Sequence, residues 1–261
     1  MTDKILTRSE NGIGHLIFNN PERHNAVSLD MWQAAEAVVA DFKADPKIRV
    51  MVVSGAGGKA FVSGADISKF EKDRSSKEAV DRYATIVDRA YSAFAEFPKP
   101  TIAMIRGYCI GGGLALSLCC DMRIAADSSK FGVPAAKLGL GYNFKGIKKL
   151  VDVVGPAFAK EIFFTARQFS SAEALQMGLI NRSVPSEDLE KYVQDYADVI
   201  GGNAPLTVSL VKYSVGEAVK AESERNLKKS DDMVAACFAS QDYIEGRTAF
   251  MEKRKPRFTG A

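Results

Sequence analysis

An α/β fold is predicted by three features of the sequence. Short apolar and β-branched runs alternate with longer segments of helical spacing as far as residues 181–184, the pattern of a sheet buried under helices. A strand-like run at 101–106 leads into Cys109-Ile110-Gly111-Gly112-Gly113-Leu114, so three consecutive glycines stand where a strand gives way to an apolar helix. From residue 187 onward the spacing is helical only, and such a tail needs a second surface to pack on, either a further domain or a subunit interface. The chain accordingly divides into a core over residues 1–187 and a C-terminal helical oligomerisation region over residues 188–261.

Each element has a local reason. Residues 13–18 form a strand that pairs with an earlier one near 5–7, and Asn19-Asn20-Pro21-Glu22-Arg23-His24-Asn25 is a polar turn-rich loop. Ser28 is placed to cap a long amphipathic helix over 29–45, which Pro46 ends. Residues 50–53 read as a buried strand, and Ala60-Phe61-Val62 leads through Ser63-Gly64-Ala65-Asp66 into a helical start at Ile67. Residues 73–77 are charged, 79–97 are helical, and Pro98 and Pro100 close that helix. Two short strands follow at 122–125 and 130–132, then an irregular loop over 134–146. Helix resumes at Ile147, with a break at Gly155-Pro156. Ser170-Ser171 caps another helix that ends near Gly178, and Pro205 suits a first helical position. Residues 218–239 and 241–252 read as amphipathic helices.

Composition narrows the class. The 261 residues carry a net charge of +3, with basic and acidic residues interspersed, so no dedicated nucleic-acid surface is expected. Cys109, Cys119, Cys120 and Cys237 form no CxxC pattern, so a metal site is not expected and reduced thiols are. The N-terminal residues show neither a signal-peptide core nor an arginine-rich presequence, and no apolar run is long enough to span a bilayer. A cytoplasmic protein without a membrane partner is the expectation.

The glycine run carries the chemistry. Glycine lets a ligand approach the main chain, and the first turn of a helix presents N–H groups without intrahelical acceptors. Such amides attract an anion or a developing negative charge. Gly64-Ala65-Asp66 is a second turn of the same kind, with small residues between a strand and a helix. Two such turns facing one another form an oxyanion hole for a thioester or ester carbonyl. A plain packing role for the glycines is the alternative.

In these motifs the chain resembles the crotonase, or enoyl-CoA hydratase/isomerase, superfamily. The likeness runs through Asn19-Asn20-Pro21, Asn25-Ala26, Ala60-Phe61-Val62-Ser63-Gly64-Ala65-Asp66-Ile67, Gly107-Tyr108, Gly111-Gly112-Gly113, Asp121, Phe131-Gly132-Val133-Pro134, Leu138-Gly139-Leu140, Ala172-Glu173-Ala174, Gly178-Leu179 and Glu252-Lys253-Arg254-Lys255-Pro256, in order and over essentially the whole chain. The resemblance implies a spiral of ββα turns with C-terminal helices that build a homotrimer or a dimer of trimers. It implies an acyl-CoA ligand, coenzyme A being part of the substrate and no separate cofactor being needed. The thioester oxygen would accept from the amides of Ala65 and Gly112. Arg23, Lys59, Gly64, Ala65, Asp66 and Ile67 would contact the CoA, and Phe250 and Lys253 match positions that reach the CoA of a neighbouring subunit.

The departures bear on the reaction. Where the hydratases carry two glutamates this chain has Ala115 and Ala135. Adding water across an enoyl double bond needs a base for the water and an acid for the carbon, and alanine is neither. Asn143 stands where the dienoyl isomerases use an aspartate. Gly141-Tyr142-Asn143, residues 159–166 and the tail Asp242-Tyr243…Phe250 resemble the methylmalonyl-CoA decarboxylases, in which the tyrosine matching Tyr142 faces the leaving carboxylate. Loss of carbon dioxide gives the enolate directly, without a base at the α-carbon. Three readings therefore stand: an acyl-CoA lyase working through a thioester enolate, a malonyl-type decarboxylase using Tyr142, and a homologue that binds acyl-CoA without chemistry. Packing against a helix, the commoner role of a loop tyrosine, is the alternative for Tyr142; His15 and His24 are read as structural, Asp66 as a helix cap, Cys109 as a small buried hydrophobe, and Lys137 and Lys145 as solvated charges or partners of a carboxylate or phosphate.

Overall fold

The computed structural model describes residues 2–66 and 76–261. Ile67 and its helical start, with most of the charged stretch at 73–77, lie outside the described residues. Among the described residues, ten strands form two sheets, mostly parallel. The larger sheet contains β1 (Ile5–Glu10), β2 (Ile13–Phe18), β3 (Val50–Gly55), β5 (Thr101–Ile105), β7 (Met122–Ala126) and β10 (Arg182–Val184), in the order 1-2-3-5-7-10. The smaller has β4 (Ala60–Val62), β6 (Tyr108–Ile110), β8 (Lys130–Gly132) and β9 (Phe169–Ser170), in the order 4-6-8-9. Chain order thus alternates between the sheets through the middle of the protein, each turn of the spiral adding one strand to each. Among the described residues, only the β1–β2 and β8–β9 pairs are antiparallel.

Helix α1 (Leu29–Ala44) and α2 (Lys77–Ala95) cover one face of the large sheet. Their buried stripes, Met31, Trp32, Ala35, Val39 and Phe42 on α1 and Ile86, Ala90 and Phe94 on α2, recur at helical spacing and meet Leu16, Phe18, Met51 and Val53. Ser28 occupies the N-cap position of α1, but its hydroxyl donates to Asp30 at 2.5 Å instead of accepting from the backbone. The short α3 (Gly112–Ser117) and α4 (Ala135–Leu138) follow. α5 (Phe144–Thr165) is broken at Gly155, whose φ of 74° takes it out of the helix just before Pro156. α6 (Ser171–Gln176) starts with a capping box between Ser170 and Glu173. α7 (Leu189–Gly201) packs Leu189, Val193 and Ala197 on the opposite sheet face, against Ile13, Val50, Val52, Ile102 and Ile124.

The remaining helices are α8 (Pro205–Ala218), α9 (Leu227–Ala239) and α10 (Gln241–Met251). The expected helix over 218–239 is interrupted: α8 stops at Ala218, Glu222–Glu224 is a single 3-10 turn, and the Asn226 side chain caps α9 by accepting from the Lys229 amide. The tail also does not stay helical to its end. Beyond Met251 the chain turns back, and Asp242 accepts from the amides of Thr259 and Gly260 at 2.7 and 2.8 Å. Phe238, Phe250 and Met251 are largely exposed.

His15 fits its structural reading, buried in β2 with Nε2 3.3 Å from the Arg8 guanidinium. Burial first, and then Arg8, hold its imidazole below the ordinary value of 6.5, against a smaller opposing effect of Glu10. The unfolded chain therefore binds a proton at a pH where the folded one does not, and stability is lost as pH falls below about 6.5. Urea unfolding between about pH 7 and pH 5.5 is expected to show this loss, and His15→Gln to flatten it. An unchanged slope in the variant would assign the acid sensitivity to other groups.

Candidate active site

Two loops that are far apart in sequence meet beyond the ends of β4 and β6, neighbouring parallel strands of the smaller sheet. The first is Ser63-Gly64-Ala65-Asp66, beyond β4. Asn25 anchors it from behind: its side-chain amide donates to the carbonyls of Ala56 and Ala60 at 2.9 and 2.8 Å and accepts from the Asn20 amide at 2.8 Å. Val27 then pairs with Ala65 as a parallel bridge, its N–H donating to Gly64 O at 2.9 Å and its carbonyl accepting from Asp66 N at 3.1 Å. In such a bridge the N–H of the middle residue points the other way, so the Ala65 amide faces away from Val27. Gly64 makes this possible with a φ of 112°.

The second loop is Gly111-Gly112-Gly113. Gly111 has a φ of 55°, its amide donates to Gly132 O at 2.8 Å, and its carbonyl receives the Ala115 N–H at 3.0 Å, which starts α3. Gly112 is the first residue of α3, so its N–H has no acceptor within the helix. Gly113 packs against β4 so tightly that a Cβ there would sit 1.9 Å from Val62 O. That contact seats α3 beside the first loop. A Cβ built on Gly112 would lie 3.6 Å from Gly64 Cα and 3.7 Å from Ala65 N, and one built on Gly64 would lie 3.7 Å from Gly112 N. Among the described residues, neither the Ala65 nor the Gly112 amide donates to an acceptor.

Tyr91, on α2, completes this corner. Its hydroxyl donates to Gly112 O at 3.0 Å and its ring stands edge-on to Trp32 at 5.0 Å between centroids. Loss of solvation pushes the Tyr91 hydroxyl well above its ordinary pKa. Sequence reasoning passed over Tyr91 because it belongs to no local motif and reaches the site only through packing of α2 on α3.

The other expected site residues are placed as follows. Asp66 is buried and accepts from the Arg23 guanidinium at 3.1 and 3.4 Å; the helix it was expected to cap lies outside the described residues. Lys59 is exposed at the start of β4, and its carbonyl accepts from the Tyr108 N–H at 3.2 Å. His24 stacks on Tyr108 with ring centroids 5.9 Å apart. Tyr142 is half-buried, edge-on to Phe163 at 5.1 Å. Ala115 is half-buried on α3, and Ala135 is buried at the start of α4. Phe250, near the end of α10, and Lys253, just beyond it, are exposed. Burial pushes the Cys109 thiol up to about 12, in keeping with an inert apolar role.

Residues 8–261 match the family described as enoyl-CoA hydratase/isomerase. The chain belongs to this family. Its relatives include a crotonyl-CoA hydratase of Syntrophomonas wolfei, 35% identical over 98% of each chain, and a short-chain-enoyl-CoA hydratase of Clostridium acetobutylicum, 30% identical over 97% of this chain and 96% of the other. An enoyl-CoA hydratase/carnithine racemase of Magnetospirillum magneticum has the same fold, with a TM-score of 0.94 and 34% identity over 100% of this chain and 97% of that one. The spiral α/β core expected from the sequence is thus the crotonase fold. Ala115 stands on α3, two residues beyond Gly113, and Ala135 opens α4. None of its described helices is long and apolar enough to cross a membrane, and its described residues hold no cluster of metal-ligating side chains.

Proposed function

We propose that the protein is an acyl-CoA lyase that holds a thioester oxygen between the Ala65 and Gly112 amides and stabilises the enolate formed when a bond at the α-carbon breaks. The observation that carries this reading is the approach of the two loops, which leaves both amides without a described acceptor. Negative charge develops on the thioester oxygen as the enolate forms, and fixed N–H donors stabilise it without reorganising. Gly64, Asp66 and Ile67, with Arg23 and Lys59, would contact the CoA of the same subunit. Phe250 and Lys253 would reach the CoA of a neighbour in a homotrimer or dimer of trimers, for which the exposed Phe238, Phe250 and Met251 supply apolar surface.

Hydration by a paired carboxylate mechanism is not open to a site with Ala115 and Ala135. Purified protein is expected to turn over crotonyl-CoA far more slowly than about ten times per second, an ordinary value for an enzyme. A rate at or above that level would mean that another group handles the water. Decarboxylation of a malonyl-type thioester is the second reading, favoured by Tyr142, which lies close enough to Tyr91 to act on its hydroxyl. It predicts carbon dioxide release from methylmalonyl-CoA and a loss of about two orders of magnitude or more in Tyr142→Phe. Binding of acyl-CoA without turnover of any thioester would leave only the non-catalytic reading.

A further inference from the structure

Among the described residues, two lysines of α5 near α3 have no acidic partner. Lys149 donates from Nζ to Cys119 Sγ at 3.3 Å, and Lys145, one turn earlier, donates to Ser92 Oγ on α2 at 3.3 Å. Among the described residues neither forms an ion pair, whereas Lys148, on another face of the same helix, pairs with Asp152 at 2.7 Å. Asp88 lies close enough to act on Tyr91, but it makes no ion pair with either lysine. Cys119 is buried, and burial keeps its thiol above the ordinary range although both lysines oppose this, so it offers Lys149 a neutral partner.

Lys149 meets Cys119 just beyond the C-terminal end of α3, the helix whose first residue is Gly112. Cys119 Sγ donates to Ala115 O at 3.3 Å, one turn beyond the residue that is alanine here and glutamate in the family's hydratases. At about 1.5 Å per residue, the advance along α3 from Gly112 to its last residue, Ser117, is roughly 7–8 Å, and Cys119 follows two residues later. An acyl group anchored by its carbonyl at Gly112 and running past the Ala115 methyl would therefore end near two ammonium groups. A neutral alkyl end would desolvate them without compensation, whereas a carboxylate would supply the missing charge.

We propose that Lys149, assisted by Lys145, binds the second carboxylate of a dicarboxylic acyl-CoA, so that the site takes monothioesters of diacids in preference to simple fatty acyl-CoAs. The inference rests on the acyl-CoA reading above and adds the class of acyl group.

Calorimetry on the intact oligomer tests it, with free CoA, butyryl-CoA and the succinyl, glutaryl and adipyl thioesters as probes. At least one diacid thioester is expected to bind about tenfold or more tightly than butyryl-CoA, as a charge-assisted hydrogen bond allows. Lys149→Met should abolish that advantage while leaving the affinity for free CoA unchanged, which also shows that the variant is folded. If no diacid thioester outbinds butyryl-CoA, or the advantage survives in Lys149→Met, this inference falls and the acyl-CoA reading stands. If Lys149→Met weakens free CoA itself, the lysine serves the CoA phosphates and the inference is overturned. If free CoA and all thioesters fail to bind the wild type, both readings fall together.

Discussion

Gly112→Ala is expected to lower kcat/KM by about two to three orders of magnitude while leaving the protein folded. The added Cβ would point into the space between the two amides, 3.7 Å from Ala65 N and 3.3 Å from the Tyr91 hydroxyl. None of its contacts is shorter than 3.3 Å, so the neighbours need yield only slightly. Gly112 is helical without a positive φ, and alanine is favoured over glycine in a helix by about 1 kcal/mol, which offsets the tight contact. Activity and stability should therefore separate: thermal unfolding near the wild-type temperature, turnover nearly gone. Full activity in this variant would mean that the reacting carbonyl lies elsewhere.

Gly113→Ala, one residue later, is expected to do the reverse and damage the fold first. Its Cβ would sit 1.9 Å from Val62 O and 2.9 Å from Val62 Cβ, distances no packed atom tolerates. Val62 has little room to retreat, because it is fully buried and β4 pairs with β6, with Val62 opposite Cys109. Separating α3 from β4 should cost about 3 kcal/mol or more, a fall in Tm of roughly 10 °C for a chain of this length. Differential scanning calorimetry measures this directly. A Tm unchanged from wild type would contradict the seating of α3 on β4, and with it the placement of the Gly112 amide.

The opposite expectations for two adjacent glycines show what a linear reading sees and what it misses. The glycine run is conspicuous at its strand-to-helix junction, and so is Gly64-Ala65-Asp66 before Ile67. Which glycine faces open space and which faces a backbone carbonyl is decided by β4, about fifty residues upstream of α3. The alternation of strands and helices was legible because buried parallel strands such as Val50–Gly55 are continuous apolar runs. The three-residue β6 was hidden, since Tyr108-Cys109-Ile110 sits between glycines and is too short to show a period. The tail was overread for a related reason: amphipathic spacing continues past Ala218, but the 3-10 turn and the Asn226 cap divide it. Tyr91 and Lys149 carried no signal of their own. Each is an ordinary residue of a long helix, and each acquires its place only where α2 and α5 pack around α3.

The measurement that bears most directly on the account is a crystal structure with a slowly reacting acyl-CoA thioester bound. The thioester oxygen is expected about 2.7–3.1 Å from both the Ala65 and the Gly112 amide nitrogens, with the acyl chain running along α3 past Ala115. A carbonyl held by other donors, or by only one of these two amides, would contradict the claim that this pair of loops is the reaction centre.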